Sequence, residues 1–288
     1  MSFPSLTDIH DILFNEDACI RFLIENELLY TAGRCPVCND FVKMESKRYR
    51  CRKKSCRHSW SIFRGSFFGL NRLKCNEVML ICYLLLSKAS TNTILMLTKH
   101  CRQTIADYKG HFLQLIGTSL NEEDTLIGGN GMIVEIDETK IGKRKYHRGH
   151  RVDGCWVLVG VEHSDQRKVF VKAVPDRSAS TIVNTILNHV RAGSVIRTDL
   201  WRGYSGLENY SFIHETVNHS QHFKNPLTGI HTNTVEGTNN GIKMTIPVRN
   251  RNADSIEGHL ALFVWRRKHH KNLWQGFIDT LKDASYDY

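Results

Sequence analysis

Three acidic residues occupy positions from which carboxylates could bind a metal ion. Asp137 ends the strand-like run MIVEID, Asp199 ends the run SVIRTD, and Glu236 lies within HTNTVEGTNNGIK. In an open α/β sheet, sites form outside the carboxyl ends of the strands, so both aspartates point to one edge. Two carboxylates brought together raise each other's pKa unless a cation neutralises them. The three acids therefore predict a site for Mg²⁺ or Mn²⁺, ions that prefer hard oxygen ligands and phosphate.

Two such ions could activate an attacking hydroxyl and stabilise the leaving oxygen in the displacement of a phosphodiester. Glu236 has a structural alternative, because Asn233-x-x-Glu236 also fits a capping box at a helix start. Lys243 follows Glu236 by seven positions and would share its helix face, where it could contact a phosphate.

Four cysteines form a second candidate metal site. Cys35 and Cys38 belong to CPVC, and Cys51 and Cys56 form a second pair with four residues between them. Two thiolate pairs at these spacings predict a structural Zn²⁺ with tetrahedral ligands. In so small a segment the metal would supply much of the folding energy. The remaining cysteines stand singly in apolar patterns and are predicted to lie in the core: Cys19, Cys75, Cys82, Cys101 and Cys155.

The chain of 288 residues carries a net charge of +10, which favours a polyanionic partner such as nucleic acid. One cationic group surrounds the cysteines and includes Arg52, Lys53 and Lys54; Trp60, Phe63, Phe67 and Phe68 are interleaved with it. A second group follows Asp137 and consists of Lys140, Lys143, Arg144, Lys145, Arg148 and Arg151. Both groups are predicted to bind DNA, and the alternative for each is a solvated basic surface.

The periodicity of apolar residues predicts a mixed α/β fold. Strands are expected at 132–137, 155–162, 168–175, 194–199 and 210–217. Helices are expected at 178–191, around Glu236 and across 254–283, on the faces of a mixed sheet. Upstream, helices are expected within 5–30 and 75–117, with a turn and cap at Ser90–Thr93, and residues 121–131 read as a linker.

These patterns divide the chain into an N-terminal helical segment (1–30), a zinc ribbon (31–70), a helical region (71–125) and a catalytic domain (126–288). The helical region is either a DNA-binding helix-turn-helix, formed by Thr93–His100 and Arg102–Gly117, or a plain spacer. No apolar run approaches the roughly 18 residues of a membrane span. The N-terminus lacks the basic region of a signal peptide, so no membrane partner is expected.

The motifs together resemble the Merlin superfamily of cut-and-paste DNA transposases and their bacterial insertion-sequence relatives. The resemblance covers most of the chain and rests on CPVC, SIFRGSFFG, VEIDETKIGKRKYHRG, IRTDLWRGY, TVNHSQHF, GIHTNTVEGTNNGIK and HLALFVWRR in this order. It implies an RNase H-like catalytic domain with a DDE triad, carried here by Asp137, Asp199 and Glu236. One departure is Asn239, which stands where the family has a tryptophan three residues after the acid.

The resemblance further implies an endonuclease that cuts at terminal inverted repeats and joins the freed 3′ ends to target DNA. Pairing of two DNA ends leads us to expect a homodimer or a larger assembly. Three alternatives stay open: an RNase H-like nuclease that does not join ends, a domesticated DNA-binding protein, and a zinc-ribbon transcription factor. The expected location is the nucleus in a eukaryotic host, with KRKYHR or RRKHHK as an import signal, and otherwise the cytoplasm.

Overall fold

Two folding units share the chain. One contains residues 1–119 together with 270–288, and the other contains residues 120–269. The computed structural model describes residues 3–69, 73–142, 154–217, 231–284 and 286. Within these ranges no helix is both long enough and apolar enough to cross a membrane.

The first unit consists of helices and a small antiparallel sheet. Its elements are α1 (His10–Phe14), α2 (Glu16–Glu25), β1 (Val42–Glu45), β2 (Arg48–Cys51), β3 (Ser59–Ser61), α3 (Cys75–Leu86), α4 (Thr91–Thr98), α5 (Arg102–Thr118) and α10 (Leu273–Asp283). Asn15 separates α1 from α2, and its Oδ1 accepts a 3.0 Å hydrogen bond from the amide of Ala18. Ser90 caps α4 by accepting a 3.1 Å bond from the amide of Thr93, which confirms the predicted turn and cap.

The second unit contains the sheet predicted from the strand-like runs. Its elements are α6 (Glu122–Thr125), β4 (Ile127–Gly128), β5 (Ile133–Ile141), β6 (Cys155–Glu162), β7 (Val169–Val174), α7 (Ala179–His189), β8 (Val190–Arg191), β9 (Val195–Asp199), β10 (Ile213–Val217), α8 (Asn233–Thr245) and α9 (Ala253–Lys268), with 3-10 turns at Arg202–Tyr204, Leu207–Asn209 and Val248–Asn250.

Two predictions about secondary structure were wrong. The segment 121–131 is more than a linker, because α6 and β4 lie within it and β4 pairs with β8. The helix predicted across 254–283 is two helices, α9 and α10. Asn272 begins the second helix by accepting a 3.1 Å bond from the amide of Gln275, and α10 belongs to the first unit.

The five main strands form a mixed sheet in the order β10-β9-β5-β6-β7. β10, β9 and β5 run parallel, whereas β6 and β7 continue the sheet in antiparallel fashion. In the register between β5 and β9, Ile133 lies opposite Val195 and Glu135 opposite Arg197. Continuing this register by two residues places Asp137 beside Asp199, at the carboxyl ends of the two strands.

Alternation along the strands separates two hydrophobic cores. Val134 and Ile136 of β5 pack with Ile182 and Ile186 of α7 on one face. The opposite face packs through α8 and α9, which contribute Val235, Ile242, Ile256 and Leu260. Because Val134 and Ile136 pack against α7, the even-numbered residues of β5 from 134 to 138 face α7, and Glu135 and Asp137 face α8. Each fully buried aliphatic side chain in these cores contributes about 1.5–3 kcal/mol to stability.

Candidate functional site

Asp137 and Asp199 lie together at the edge of the sheet, as the strand ends predicted. A residue of α8, Asn239, donates a 2.7 Å hydrogen bond from Nδ2 to Oδ2 of Asp137. Asp199 accepts a 2.9 Å bond at Oδ1 from the backbone amide of Trp201. Each aspartate is thus held in one orientation by a donor from outside its own strand.

Several carboxylates crowd around Asp137 at the carboxyl ends of the strands. Burial raises the pKa of Asp137 to about 7, and the nearby charges of Glu138, Asp199 and Glu236 act in the same direction, whereas the bond from Asn239 opposes them. A carboxylate in such surroundings is stabilised by a cation. The charges of Asp199 and Glu236 therefore both act on Asp137, so the three predicted acids interact electrostatically.

Glu236 lies in the first turn of α8, and the capping-box alternative for it was wrong. The helix begins at Asn233 after the N-cap residue Thr232, and no side chain caps it in that manner. Instead, Oγ1 of Thr232 donates to Oε1 of Glu236 at 3.4 Å. Asn239 follows Glu236 by three positions, so both side chains leave the same face of α8.

The three acids are neighbours, but their oxygens are not drawn tightly together. Among the described residues, the only His, Cys, Asp or Glu ligand atoms that form a group of three or more within 4.8 Å of one another belong to four cysteines. The carboxylate oxygens of Asp137, Asp199 and Glu236 are therefore spread over a wider space. Beside them, Oδ1 of Asn239 is buried and accepts no hydrogen bond within the described structure.

A buried carboxylate that the sequence analysis overlooked connects β5 to the start of α8. Glu135 has no solvent exposure, and its Oε2 accepts bonds of 2.8 and 2.9 Å from the amides of Thr234 and Val235. Its Oε1 lies 2.5 Å from Nε2 of His163 and 3.3 Å from Nδ1 of His231. A negative charge at a helix N-terminus satisfies unpaired amides and interacts favourably with the helix dipole.

Glu135 positions the helix that carries Glu236 and Asn239, because both its oxygens are committed to α8 or to the histidines. A signal for it was present in the sequence: an acid flanked by Val134 and Ile136 in a buried strand needs a partner. The spacing to Asp137 also places both acids on one face. His231, just before α8, also lies beside Glu135.

The cationic residues predicted after Asp137 fall largely outside the description of the chain. Lys140 is described, and its Nζ lies 5.4 Å from the ring centroid of Trp156. Lys243 is half-buried within α8. The other predicted DNA contacts of this group lie outside the described residues: Lys143, Arg144, Lys145, Arg148 and Arg151.

The four cysteines predicted to bind zinc converge in the first unit. Their sulfur atoms all lie within 4.8 Å of one another, with Sγ of Cys38 and Cys51 separated by 3.4 Å and those of Cys35 and Cys56 by 3.8 Å. Four thiol ligands at such distances fit a tetrahedral Zn²⁺ site. Burial opposes ionisation of Cys35, but bonds from the amides of Val37 and Cys38 outweigh it and lower its pKa to about 7.

The cationic residues around the cysteines are exposed, as the prediction of DNA binding requires, but the aromatic residues among them are not. Arg52, Lys53 and Lys54 are exposed, as DNA contacts would have to be. Trp60, Phe67 and Phe68 are buried, and Phe63 is half-buried, so these aromatic side chains pack inside the first unit and do not form an exposed surface for DNA.

The prediction that the single cysteines are buried was correct for four of the five. Cys19, Cys75, Cys82 and Cys155 are buried, but Cys101 is exposed. It caps α5, because its sulfur accepts a hydrogen bond from the amide of Thr104.

Comparison with known proteins found similarity to transposases. An uncharacterized transposase-like protein of Haemophilus influenzae (strain ATCC 51907 / DSM 11121 / KW20 / Rd) is 36% identical over 56 residues, which make up 19% of this chain. The matched region spans 46% of the length of that relative. The family model for the ISXO2-like transposase domain matches residues 122–267, which is 146 of the 288 residues and includes all three acids. The chain belongs to the family of ISXO2-like transposase domains.

Proposed function

We propose that this protein is a cut-and-paste DNA transposase of the Merlin type, with an RNase H-like catalytic unit. It binds terminal inverted repeats, cleaves the DNA there and joins the freed 3′ ends to a target. The observation that carries the proposal is the register that sets Asp137 beside Asp199 at the carboxyl ends of parallel strands, with the charge of Glu236 close by.

Asp137, Asp199 and Glu236 would hold two Mg²⁺ or Mn²⁺ ions. The donor set supports this assignment, because the three carboxylates are hard oxygen ligands and Asn239 adds a buried Oδ1 that lacks a hydrogen-bond partner among the described atoms. When bound, the ions activate the attacking oxygen and stabilise the leaving oxygen of the phosphodiester.

The protein itself contributes positions for these carboxylates. Asn239 holds Asp137, the amide of Trp201 holds Asp199, and Thr232 donates to Glu236. Glu135 fixes the start of α8, so that Glu236 and Asn239 reach the sheet edge together. Reaction rates depend strongly on such positioning, since small displacements of catalytic groups lower them sharply.

The first unit would recognise the ends of the element. The cysteine cluster is a Zn²⁺ site that holds the ribbon in shape, and exposed Arg52, Lys53 and Lys54 contact the phosphates. The pair α4 and α5 would add a helix-turn-helix contact. We propose a homodimer or larger assembly that pairs two ends, working in the nucleus of a eukaryotic host or in the cytoplasm otherwise.

A cleavage assay tests the proposal directly. A plasmid that carries the DNA flanking this gene is incubated with purified protein and Mg²⁺ or Mn²⁺, and new 3′ ends are mapped. We expect metal-dependent cuts at an inverted repeat and joined products in a second plasmid, both absent with Asp199→Asn. Cuts without joined products would show that the protein is a nuclease that does not join DNA ends. Tight binding to the flank with no cutting under either metal would identify a domesticated binder.

A further inference from the structure

A row of alternating cations and tryptophans lies on the α7 side of the sheet and reaches Asp199 through the backbone amide of Trp201. The guanidinium carbon of Arg177 lies 4.1 Å from the ring centroid of Trp156 and 4.3 Å from that of Trp201. Nζ of Lys140 lies 5.4 Å from the Trp156 centroid. We call Lys140, Trp156, Arg177 and Trp201 the tryptophan–cation row.

A buried carboxylate anchors this row. The side chain of Glu138 is 5% exposed, and its Oε1 lies 3.3 Å from Nη1 of Arg177. Its Oε2 accepts a 2.6 Å bond from the hydroxyl of Tyr204, which is itself buried. The guanidinium of Arg177 is thus held by the ion pair with Glu138 and by the rings of Trp156 and Trp201, while 33% of the Arg177 side chain stays exposed.

Trp201 is exposed and yet held in place. It retains 40% of its surface in solvent, although its backbone amide is bonded to Asp199. Its ring packs on Gly203, where an added Cβ would lie 2.7 Å from Nε1 of the indole, so only glycine leaves room for the ring. An exposed indole that packs on the backbone at Gly203 therefore stands two residues after Asp199.

We propose that the tryptophan–cation row binds an unpaired nucleobase at the end of the DNA strand, with the base stacked on Trp201 and the adjoining phosphate at Arg177. Every base has a π-face, so stacking on an aromatic ring tolerates any sequence. Arginine stacks on aromatic faces and contacts phosphate through its donor fork. The inference rests on the proposed function, because the acids beside Trp201 are where the strand would be cut and its end released from pairing.

Fluorescence of 2-aminopurine tests the proposal, since stacking on an indole quenches this base. The probe is a short oligothymidylate with one terminal 2-aminopurine, compared with a duplex of the DNA flanking this gene that carries the same label in a paired position. Ca²⁺ replaces Mg²⁺ to prevent cleavage. The proteins are the full chain, Trp201→Leu, Trp201→Phe and Tyr210→Leu. Tyr210 is a matched control, because it is 45% exposed but precedes β10, at the opposite end of the parallel strands from Asp199.

We expect the full chain to quench the single strand, and we expect Trp201→Phe to keep most of the affinity for the single strand, because a phenyl ring still stacks on a base. Trp201→Leu should lose the quenching and bind the single strand about 10-fold or more weakly, as loss of one base–aromatic stack predicts, with duplex affinity nearly unchanged. Tyr210→Leu should match the full chain in every measurement.

Different results would overturn base stacking by the tryptophan–cation row and DNA binding by the protein. If the full chain binds both probes but does not quench the single strand, the row does not stack a base, whether or not the variants fold. Equal affinity losses for both probes in Trp201→Leu would also overturn it. If the full chain binds neither probe, DNA is not the ligand and both proposals fall.

Discussion

The side-chain amide of Asn239 donates a 2.7 Å hydrogen bond to Oδ2 of Asp137 and so joins α8 to β5 at the sheet edge. The family resembled by the sequence has a tryptophan at this position. Here α8 packs through Val235 and Ile242 instead, and both are buried. The asparagine is therefore a polar tether to an acid of the site, and the helix is packed without an aromatic residue there.

Removing this tether should damage the site more than the fold. Asn239→Ala should lower the free energy of unfolding by about 1–3 kcal/mol, the cost of leaving a buried polar group without its partner. DNA cleavage should fall at least about 10-fold, as expected for a residue that orients a metal ligand. Denaturant unfolding and the plasmid assay measure the two effects. The neighbouring Asn240 is exposed, so Asn240→Ala serves as the control and should change neither quantity.

Glu135 should govern the order of the first turn of α8. Glu135→Ala removes the acceptor for the amides of Thr234 and Val235, and it should cost about 1–3 kcal/mol for the groups left unpaired. Hydrogen exchange at those two amides should accelerate in step with that loss. Glu135→Gln keeps a carbonyl oxygen as acceptor and should recover most of the protection. Unchanged exchange in Glu135→Ala would show that α8 is positioned by its apolar contacts alone.

Glu236→Gln separates metal binding from helix stability. Since no capping box forms and glutamine keeps an oxygen that can accept from Thr232, the free energy of unfolding should stay within about 0.5 kcal/mol, the usual range for a substitution that breaks no cap or buried network. Cleavage should fall by more than about 100-fold, beyond the loss typical of residues that merely support a metal ligand. A variant that unfolds early but still cuts DNA would assign Glu236 a structural role.

Zinc removal should unfold the ribbon and spare the sheet. The purified chain should contain one zinc per molecule, and Cys38→Ser should contain none. A structural zinc site of this kind contributes about 10–16 kcal/mol to folding a small domain, so the β1–β3 segment should lose protection from proteolysis. Cys101→Ser is the matched control, because Cys101 is exposed and lies outside the cluster. Full zinc content in Cys38→Ser would contradict the ligand assignment.

Features that depend on local spacing could be predicted from the sequence. Alternation of apolar residues predicts strands whether or not their neighbours are known, so the five-stranded mixed sheet and the positions of Asp137 and Asp199 at its edge were readable. The cysteine cluster could be predicted for the same reason, because the two cysteines of each pair are close in sequence and two such pairs are typical of a zinc site.

The distant side chains that meet at these positions could be identified from the folded structure alone. Asn239 and Asp137 are 102 positions apart, and the amide of Thr234 is 99 positions from Glu135. Such contacts depend on strand order and on where a helix docks, and no pattern within one segment encodes either. The stack of Arg177 between Trp156 and Trp201 arises in the same way, from three separate segments brought to one edge. Local periodicity therefore specifies the strands and the acids, and long-range packing specifies how those acids are held.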